Sequence, residues 1–270
     1  MPRNAPLLAL ARASHAGPSI AVTSLTGLLS VAAGHSLRTG VLVTAAVGAG
    51  QLTIGWSNDL IDAARDRQVG RLDKPIARGE VSPTAVRVAL AADAVLCVVL
   101  SLACGLASAA VHLLLGVGSG WAYNLGLKRT ALSAVPYAVA FGILPAVVTL
   151  AGPAPRLPPL WMFVTGALLG VGAHLLNALP DLADDERTGV RGLPHRLGPG
   201  TLRWLAPLVL TAASAVTVFG PAGAIEVWVW AAFAACLGLA AVAMAGRGRV
   251  PFVAAVGIAA VDVVSLVLRA

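Results

Sequence analysis

Long apolar blocks are the feature that most limits what this chain of 270 residues can fold into. They follow one another with no strand-like alternation, and each holds about 18 to 25 mostly uncharged residues. Blocks of this length cross a hydrocarbon core of roughly 30 Å as helices, which satisfy their own backbone hydrogen bonds in lipid. The sequence therefore predicts one all-α polytopic membrane domain over residues 1–270, with about nine transmembrane helices at about 16–34, 39–57, 83–105, 107–124, 131–152, 157–180, 201–219, 222–245 and 250–269.

The net charge of +7 admits either a nucleic-acid-binding protein or an oriented membrane protein. If the N-terminus is cytoplasmic, 16 of the 19 basic residues fall on the cytoplasmic side, and only Arg38, Arg156 and Arg269 fall outside. This distribution follows the positive-inside rule. The charge thus indicates a multi-pass topology with the N-terminus and the main loops inside and the C-terminus opposite, and it argues against a nucleic-acid partner.

Acidic residues are few and clustered. Nine of the twelve lie in two windows that begin where an apolar helix reaches the cytoplasmic side: Asp59, Asp62, Asp66, Asp73 and Glu80, then Asp181, Asp184, Asp185 and Glu186. A shift of 119 residues aligns the windows with eight identities in 22 positions. We therefore predict an internal pseudo-repeat at about 16–130 and 131–270. The alternative is that the two loops match only because Gly and Pro are common in loops.

The spacing of the acids indicates a cation site. Residues four apart lie on one helix face, so the sequence places two matching stripes, Asn58 with Asp62 and Asp66, and Asn177 with Asp181 and Asp185. Like charges at this spacing repel one another unless a cation lies between them. Clustered carboxylate and amide oxygens without cysteine suit Mg²⁺, which binds through a few carboxylates together with phosphate oxygens of a substrate.

Basic loops follow both stripes and point to an anionic substrate. Two stripes on facing helices would hold a diphosphate through Mg²⁺, and the neighbouring Lys and Arg side chains would stabilise the charge of a departing pyrophosphate. The remaining wall of such a cavity is apolar helix, which suits a hydrocarbon tail. Ordinary juxtamembrane loops with balancing acids are the alternative, but they do not explain two Asn and Asp ladders in register.

These segments resemble motifs of the UbiA superfamily of intramembrane prenyltransferases. The stretches NDLIDAARD (58–66) and DLADD (181–185) are similar to its two Asp motifs. The stretches DKPIARGEVS, YNLGLKRT (123–130) and GVRGLPHRLG (189–198) resemble the segments that accompany those motifs. The resemblance implies a helical bundle around a central cavity, with both Asp motifs and their cap loops at its cytoplasmic mouth.

The same resemblance implies Mg²⁺-dependent ionisation of an isoprenyl diphosphate and capture of the allylic cation by an acceptor. Asp62, Asp66, Asp181, Asp185 and Tyr123 are the implied catalytic residues. The implied metal ligands are Asn58, Asp59, Asp62, Asp66, Asp181 and Asp185, and the implied substrate-binding residues are Asn58, Lys74, Arg78, Lys128, Arg129, Asn177 and His174. The second motif departs from the first, because Ala178 stands where Asp59 stands in the repeat.

Three ionisable residues within the apolar blocks have two interpretations each. His174 precedes Asn177 by three residues and is expected to face the same cavity, where it would orient an acceptor or take its proton. The alternative is a histidine that only packs between helices. Charged groups are costly in lipid, so Asp93 and Asp262 are either functional, or near a helix end, or paired within the bundle.

The sequence thus favours transfer of an isoprenyl group to a lipophilic acceptor, with an aromatic acceptor preferred. Membrane lipid is the surrounding partner, and the oligomeric state is open. Three alternatives stay open as well. They are a related terpene cyclase acting on farnesyl or geranylgeranyl diphosphate, phosphoribosyl transfer to polyprenyl phosphate, and a transporter or scaffold without catalysis.

Overall fold

The computed structural model describes residues 5–70, 74–179, 182, 189–247 and 250–270, and within these ranges the chain is helical with no β-strand. A π-helical turn spans Val111–Val117, and a 3₁₀ turn spans Leu127–Arg129. The α-helices are α1 (Ala5–Ala13), α2 (Ala16–Ala32), α3 (Leu37–Gln68), α4 (Pro83–Ala103), α5 (Leu106–Ala110), α6 (Gly118–Leu125), α7 (Val135–Gly142), α8 (Leu144–Thr149), α9 (Leu160–Ala178), α10 (Leu193–Phe219), α11 (Val227–Ala245) and α12 (Val250–Arg269).

Seven helical segments in the described part of the chain are long and apolar enough to cross a membrane: α3, α4, the continuous segment from α5 to α6, α9, α10, α11 and α12. The first and fifth predicted blocks instead form shorter apolar helices, α2 and the pair α7–α8. The break between α7 and α8 lies two residues before Pro145, whose ring removes a helical hydrogen bond. The predicted all-α membrane protein is confirmed, whereas the predicted count of nine transmembrane helices is not.

Helix α3 includes the first three acids of the first window, Asp59, Asp62 and Asp66. The hydroxyl of Ser36 accepts a hydrogen bond from the Thr39 backbone N–H at the start of the helix, and Arg65 and Arg67 lie in its last turn, where the helix dipole favours cations. Its 32 residues extend about 48 Å at 1.5 Å per residue, well beyond the roughly 30 Å of a hydrocarbon core. The acidic end of α3 is therefore long enough to project past the lipid as helix.

A kink shortens the regular part of α10. Gly198 has a non-helical backbone with φ 75° and ψ 160°, and Pro199 follows it. Because glycine adopts this positive φ without a steric penalty and proline cannot donate to the preceding turn, the helix restarts after the kink. The part of α10 after the kink corresponds to the predicted seventh helix at about 201–219, and the structure adds a helical segment before the kink that begins at Leu193.

The helices form two compact units. The first comprises Met1–Gly126 with Val147–Pro155, and within it α3 packs against both α2 and α4. The second comprises Leu127–Ala146 with Arg156–Ala270, where α9 packs against α7 and α10 and where α11 packs against α12. The predicted pseudo-repeat and central cavity stay predictions.

Glycines allow α9 to approach α7 closely. A Cβ atom at Gly170 would collide with the backbone carbonyl of Tyr137, and one at Gly166 would collide with that of Phe141. The two glycines are four residues apart and share one face of α9. The contact between these helices therefore depends on small residues, as is common for helices packed in lipid.

We expect Gly170→Ala to lower the thermal stability of the protein in detergent, because a backbone carbonyl cannot move aside as a flexible side chain would. Overpacking of this kind costs about 1–3 kcal/mol. Gly238→Ala is the matched control, since no atom lies within 4 Å of the Cβ position at Gly238 in α11. Thermal melts of both variants test this packing, and a Gly170→Ala melt as high as that of the control would contradict it.

Candidate active site

An ion pair between Asp59 and Lys74 lies at the acidic end of α3. Lys74 Nζ donates to Asp59 Oδ1 at 3.0 Å and to His15 Nε2 at 2.8 Å. Because an ammonium group has no acceptor, His15 accepts through Nε2 and carries its ring proton on Nδ1. Asp59 is only 2% exposed, and its Oδ2 has no hydrogen-bond partner among the described residues. This carboxylate is therefore satisfied on one oxygen only within the described part of the chain.

Asp62 and Asp66 are buried one turn apart on α3, and Arg65 lies between their carboxylates. The Arg65 guanidinium donates to Asp62 Oδ2 at 3.3 Å and to Asp66 Oδ1 at 3.4 Å. Its positive charge offsets the repulsion between the two acids. The sequence had predicted a metal ion in this role. Asp62 Oδ2 also accepts a hydrogen bond from Asn58 Nδ2 at 3.2 Å. The predicted stripe is thus present and is held together by arginine and amide groups.

Two residues join this site without having been predicted from the sequence, His15 and Asn124. The amide nitrogen of Asn124 donates to the backbone carbonyl of Ile54 at 2.9 Å and to the hydroxyl of Ser57 at 2.8 Å, while its oxygen accepts from Asn58 Nδ2 at 3.1 Å. A buried asparagine beside Tyr123 in an apolar block was a usable signal. His15 lies between two short helices, and no pattern in the sequence links it to Lys74.

The other predicted cations and Tyr123 occupy different environments. Lys128 is buried within the turn Leu127–Arg129, whereas Arg129 is exposed. The Arg78 side chain is 48% exposed and pairs with Glu80 at 3.0 Å. Tyr123 is partly buried in the last turn of α6. Their predicted roles in substrate binding and catalysis stay predictions.

The second Asp motif lies mostly outside the described residues. Asn177 is exposed in the last turn of α9, and the described part of that helix ends just before the motif. Asp181 and Asp185 lie outside the described residues, as do Asp73, Asp184 and Arg71. Their predicted roles as metal ligands and catalytic residues stay predictions.

His174 is buried in the packing between α7 and α9. Its Nε2 atom lies 2.9 Å from the hydroxyl of Ser133, which also accepts a hydrogen bond from the Leu193 backbone N–H at 2.8 Å. The His174 ring packs against that of Tyr137, with ring centroids 4.8 Å apart. These contacts are those of a packing histidine, which was the alternative interpretation, and the predicted contact of His174 with substrate stays a prediction.

The described oxygen atoms fit a Mg²⁺ site that is completed by water and substrate phosphate, rather than one made by protein ligands alone. In the ranges that the structure describes, no group of three His, Cys, Asp or Glu side chains is arranged to hold a metal ion. Mg²⁺ in proteins usually keeps several waters and binds one or two carboxylates together with substrate phosphates. Asp59 Oδ2 and the amide oxygen of Asn58 would be oxygen ligands of this kind, and neither makes a hydrogen bond to a described residue.

Solved structures with the same fold come from archaeal proteins. A UbiA homologue from Archaeoglobus fulgidus bound to GPP and Mg²⁺ is 15% identical with a TM-score of 0.70, covering 97% of this chain and 100% of that chain. The same homologue is also solved with DMAPP and Mg²⁺. A UbiA homologue from Aeropyrum pernix K1 is 18% identical with a TM-score of 0.72, covering 92% and 96% of the two chains.

A digeranylgeranylglyceryl phosphate synthase is 14% identical with a TM-score of 0.69 and covers 98% of each chain. No curated protein matches the sequence. The model of the UbiA prenyltransferase family matches residues 20–261, which include both Asp motifs and the stretch from Tyr123 to Thr130. This match and the shared fold agree with the motifs, and the chain belongs to the UbiA prenyltransferase family.

Proposed function

We propose that this chain is a Mg²⁺-dependent intramembrane prenyltransferase that moves an isoprenyl group from its diphosphate to a lipophilic acceptor, preferably an aromatic one. The observation that carries the proposal is the buried Asp59 carboxylate, which pairs with Lys74 through one oxygen and leaves the other without a hydrogen bond among the described residues. An anion and a cation held together at a helix end suit a metal diphosphate. The GPP and DMAPP bound to the archaeal homologue support this substrate class.

The described residues divide into metal ligands and anion-binding groups. Asn58, Asp59, Asp62 and Asp66 would hold Mg²⁺, and Asp181 and Asp185 are the further metal ligands that the family resemblance implies. Bound Mg²⁺ would supply the positive charge that stabilises a departing pyrophosphate. Lys74, Lys128 and Arg129 would bind diphosphate oxygens and add to that stabilisation. Tyr123 would lie beside the departing group or the allylic cation, where an aromatic face favours positive charge.

Lys74 could bind a diphosphate oxygen while its ammonium group stays hydrogen-bonded to the protein. His15 Nε2 holds the ammonium group independently of Asp59, so the amine keeps one protein acceptor when a diphosphate oxygen competes for it. Arg65 has a similar place between Asp62 and Asp66. Both cations neutralise the acidic stripe before a metal ion arrives, which lowers the cost of keeping these carboxylates buried.

The apolar helices suit the rest of the proposed reaction. An isoprenyl tail and a lipophilic acceptor both partition into lipid, and apolar surroundings keep water away from a reactive allylic cation. We further infer that the acidic end of α3 faces the cytoplasm, because 16 of 19 basic residues fall on that side when the N-terminus is inside. Both substrates would then reach the site from within the membrane, with the diphosphate in the aqueous mouth.

We expect Asp62→Asn to lower kcat/KM for geranyl, farnesyl or geranylgeranyl diphosphate by about 100-fold or more. The substitution removes a negative charge that would hold Mg²⁺, and Mg²⁺ would stabilise the departing pyrophosphate. Asp93→Asn is the matched control, because Asp93 is also a buried carboxylate in a membrane helix of the same unit. Pyrophosphate release by purified protein in detergent with Mg²⁺ measures both variants. Full activity of Asp62→Asn would contradict the proposed site.

The products of the same reactions test the type of transfer. We expect conjugates of the isoprenyl group by mass spectrometry only when an acceptor from an aromatic panel is present, because transfer requires a nucleophile that is separate from the isoprenyl chain. A hydrocarbon formed without acceptor would contradict transfer and identify a cyclase. Intact diphosphate under every condition would contradict an enzyme of this class.

We expect Lys74→Met to reduce the free energy of unfolding by about 3 kcal/mol, because it leaves the buried Asp59 carboxylate without its cation. Arg78→Met is the control and should change it by less than about 1 kcal/mol, since the Arg78 side chain is exposed and Glu80 also pairs with Arg12. Thermal or denaturant melts in detergent compare the two. Equal losses would show that the pair between Asp59 and Lys74 has no special structural role.

A further inference from the structure

The orientation of the Asn124 side chain is fixed by a backbone carbonyl of α3. Asn124 is 3% exposed, and its Nδ2 lies 2.9 Å from the carbonyl oxygen of Ile54. A carbonyl can only accept, so the neighbouring Asn124 atom must be the amide nitrogen. The Ser57 hydroxyl donates its proton to the same carbonyl at 2.9 Å and accepts the second Asn124 N–H at 2.8 Å. The Asn124 oxygen therefore points away from these two groups.

This orientation decides that of Asn58 in turn. Asn58 Nδ2 lies 3.1 Å from Asn124 Oδ1 and 3.2 Å from Asp62 Oδ2, and both of these atoms are acceptors. Reversing the Asn58 amide would place three oxygens together, with the negative charge of Asp62 among them. The two N–H groups of Asn58 are thus used, and its Oδ1 is left without a hydrogen bond to any residue in the described ranges.

A close contact between α3 and α6 makes this arrangement possible. A Cβ atom at Gly120 would collide with the side chain of Ile54, so the absence of one lets α6 lie directly on α3. Asn124 follows Gly120 by one helical turn and therefore faces the same part of α3. The asparagine reaches Ile54, Ser57 and Asn58 because of this approach.

We propose that Asn124 is a positioning residue that locks the Asn58 amide so that its oxygen, and not its NH₂ group, is presented to Mg²⁺. The inference rests on the proposed function, in which Asn58 is a ligand. An unrestrained amide has two broad orientations about its terminal torsion, and one of them turns N–H hydrogens toward the cation. Groups that orient a metal ligand in this way typically contribute about 10–100-fold to metal affinity.

The test measures metal binding separately from turnover. Mn²⁺ replaces Mg²⁺ as an EPR probe, and purified protein in detergent is titrated in the presence of an unreactive thiolo analogue of geranyl diphosphate. We expect Asn124→Leu to weaken Mn²⁺ binding about tenfold and to raise the Mg²⁺ concentration for half-maximal turnover similarly. Asn124→Asp should do the same in a side chain of equal shape, because it lacks the NH₂ group that anchors it to Ile54.

Ser108→Ala is the matched structural control. Ser108 is buried in α5 of the same unit and donates to the Val147 carbonyl at 2.7 Å, so its loss also removes one buried hydrogen bond. We expect it to lower the melting temperature without changing Mn²⁺ binding. A loss of Mn²⁺ affinity in Ser108→Ala as large as in the Asn124 variants would overturn the inference, because general destabilisation would then explain both.

A double-mutant cycle separates positioning from an independent effect. In an Asn58→Ala background, Asn124→Leu should change Mn²⁺ affinity by less than about twofold, since the amide that it orients is gone. Additive losses would overturn the inference. Mn²⁺ binding that is abolished by Asp62→Asn but unchanged by both Asn124 variants would overturn only the role of Asn124, whereas binding that survives Asp62→Asn would overturn the proposed function itself.

Discussion

The ion pair between Asp59 and Lys74 is the contact on which the candidate site depends. It joins the acidic end of α3 to Lys74, which lies between α3 and α4, and His15 gives the ammonium group a second acceptor. A carboxylate that is only 2% exposed would be strongly destabilising without its cation. In the proposed function the same pair would supply the two charges that a metal diphosphate needs, because the carboxylate would attract the metal ion and the ammonium the phosphate. Stability and ligand binding would then rest on one interaction.

A neutral network complements this charged contact along α3. Ile54, Ser57, Asn124 and Asn58 form a chain of hydrogen bonds that starts at a backbone carbonyl and ends at the Asp62 carboxylate. Each amide in the chain has its orientation decided by the group before it, so a rigid helix backbone determines which atom of Asn58 stays available. Arg65 donates to the same Asp62 oxygen and to Asp66, and its positive charge offsets the repulsion between the two acids. The acidic stripe is thus preorganised before any ligand binds.

Local periodicity was enough to predict the acidic stripe, because residues four apart share a helix face whatever the rest of the fold does. Hydropathy was enough for the membrane class, but the predicted count of nine spans is not confirmed. Seven described segments have the length and composition to cross, whereas Pro145 interrupts one apolar block and another forms only the 17-residue helix α2. The contacts of Asn124 and His15 with the site could not be predicted, because they depend on which segments distant in the sequence pack together. The close contact between Gly120 and Ile54 is an example, and no local sequence pattern encodes it. The second motif stays a prediction, because Asp181 and Asp185 lie outside the described residues.

In the proposed function the acidic end of α3 binds a divalent cation together with a diphosphate. Anomalous diffraction from crystals grown with Mn²⁺ and an unreactive geranyl diphosphate analogue tests it most directly, because the metal ion is located without reference to activity. We expect an anomalous peak within coordination distance of Asp59 and Asn58, with Lys74 on a phosphate oxygen. A peak elsewhere, with Asp59 still bound only by Lys74, would contradict it.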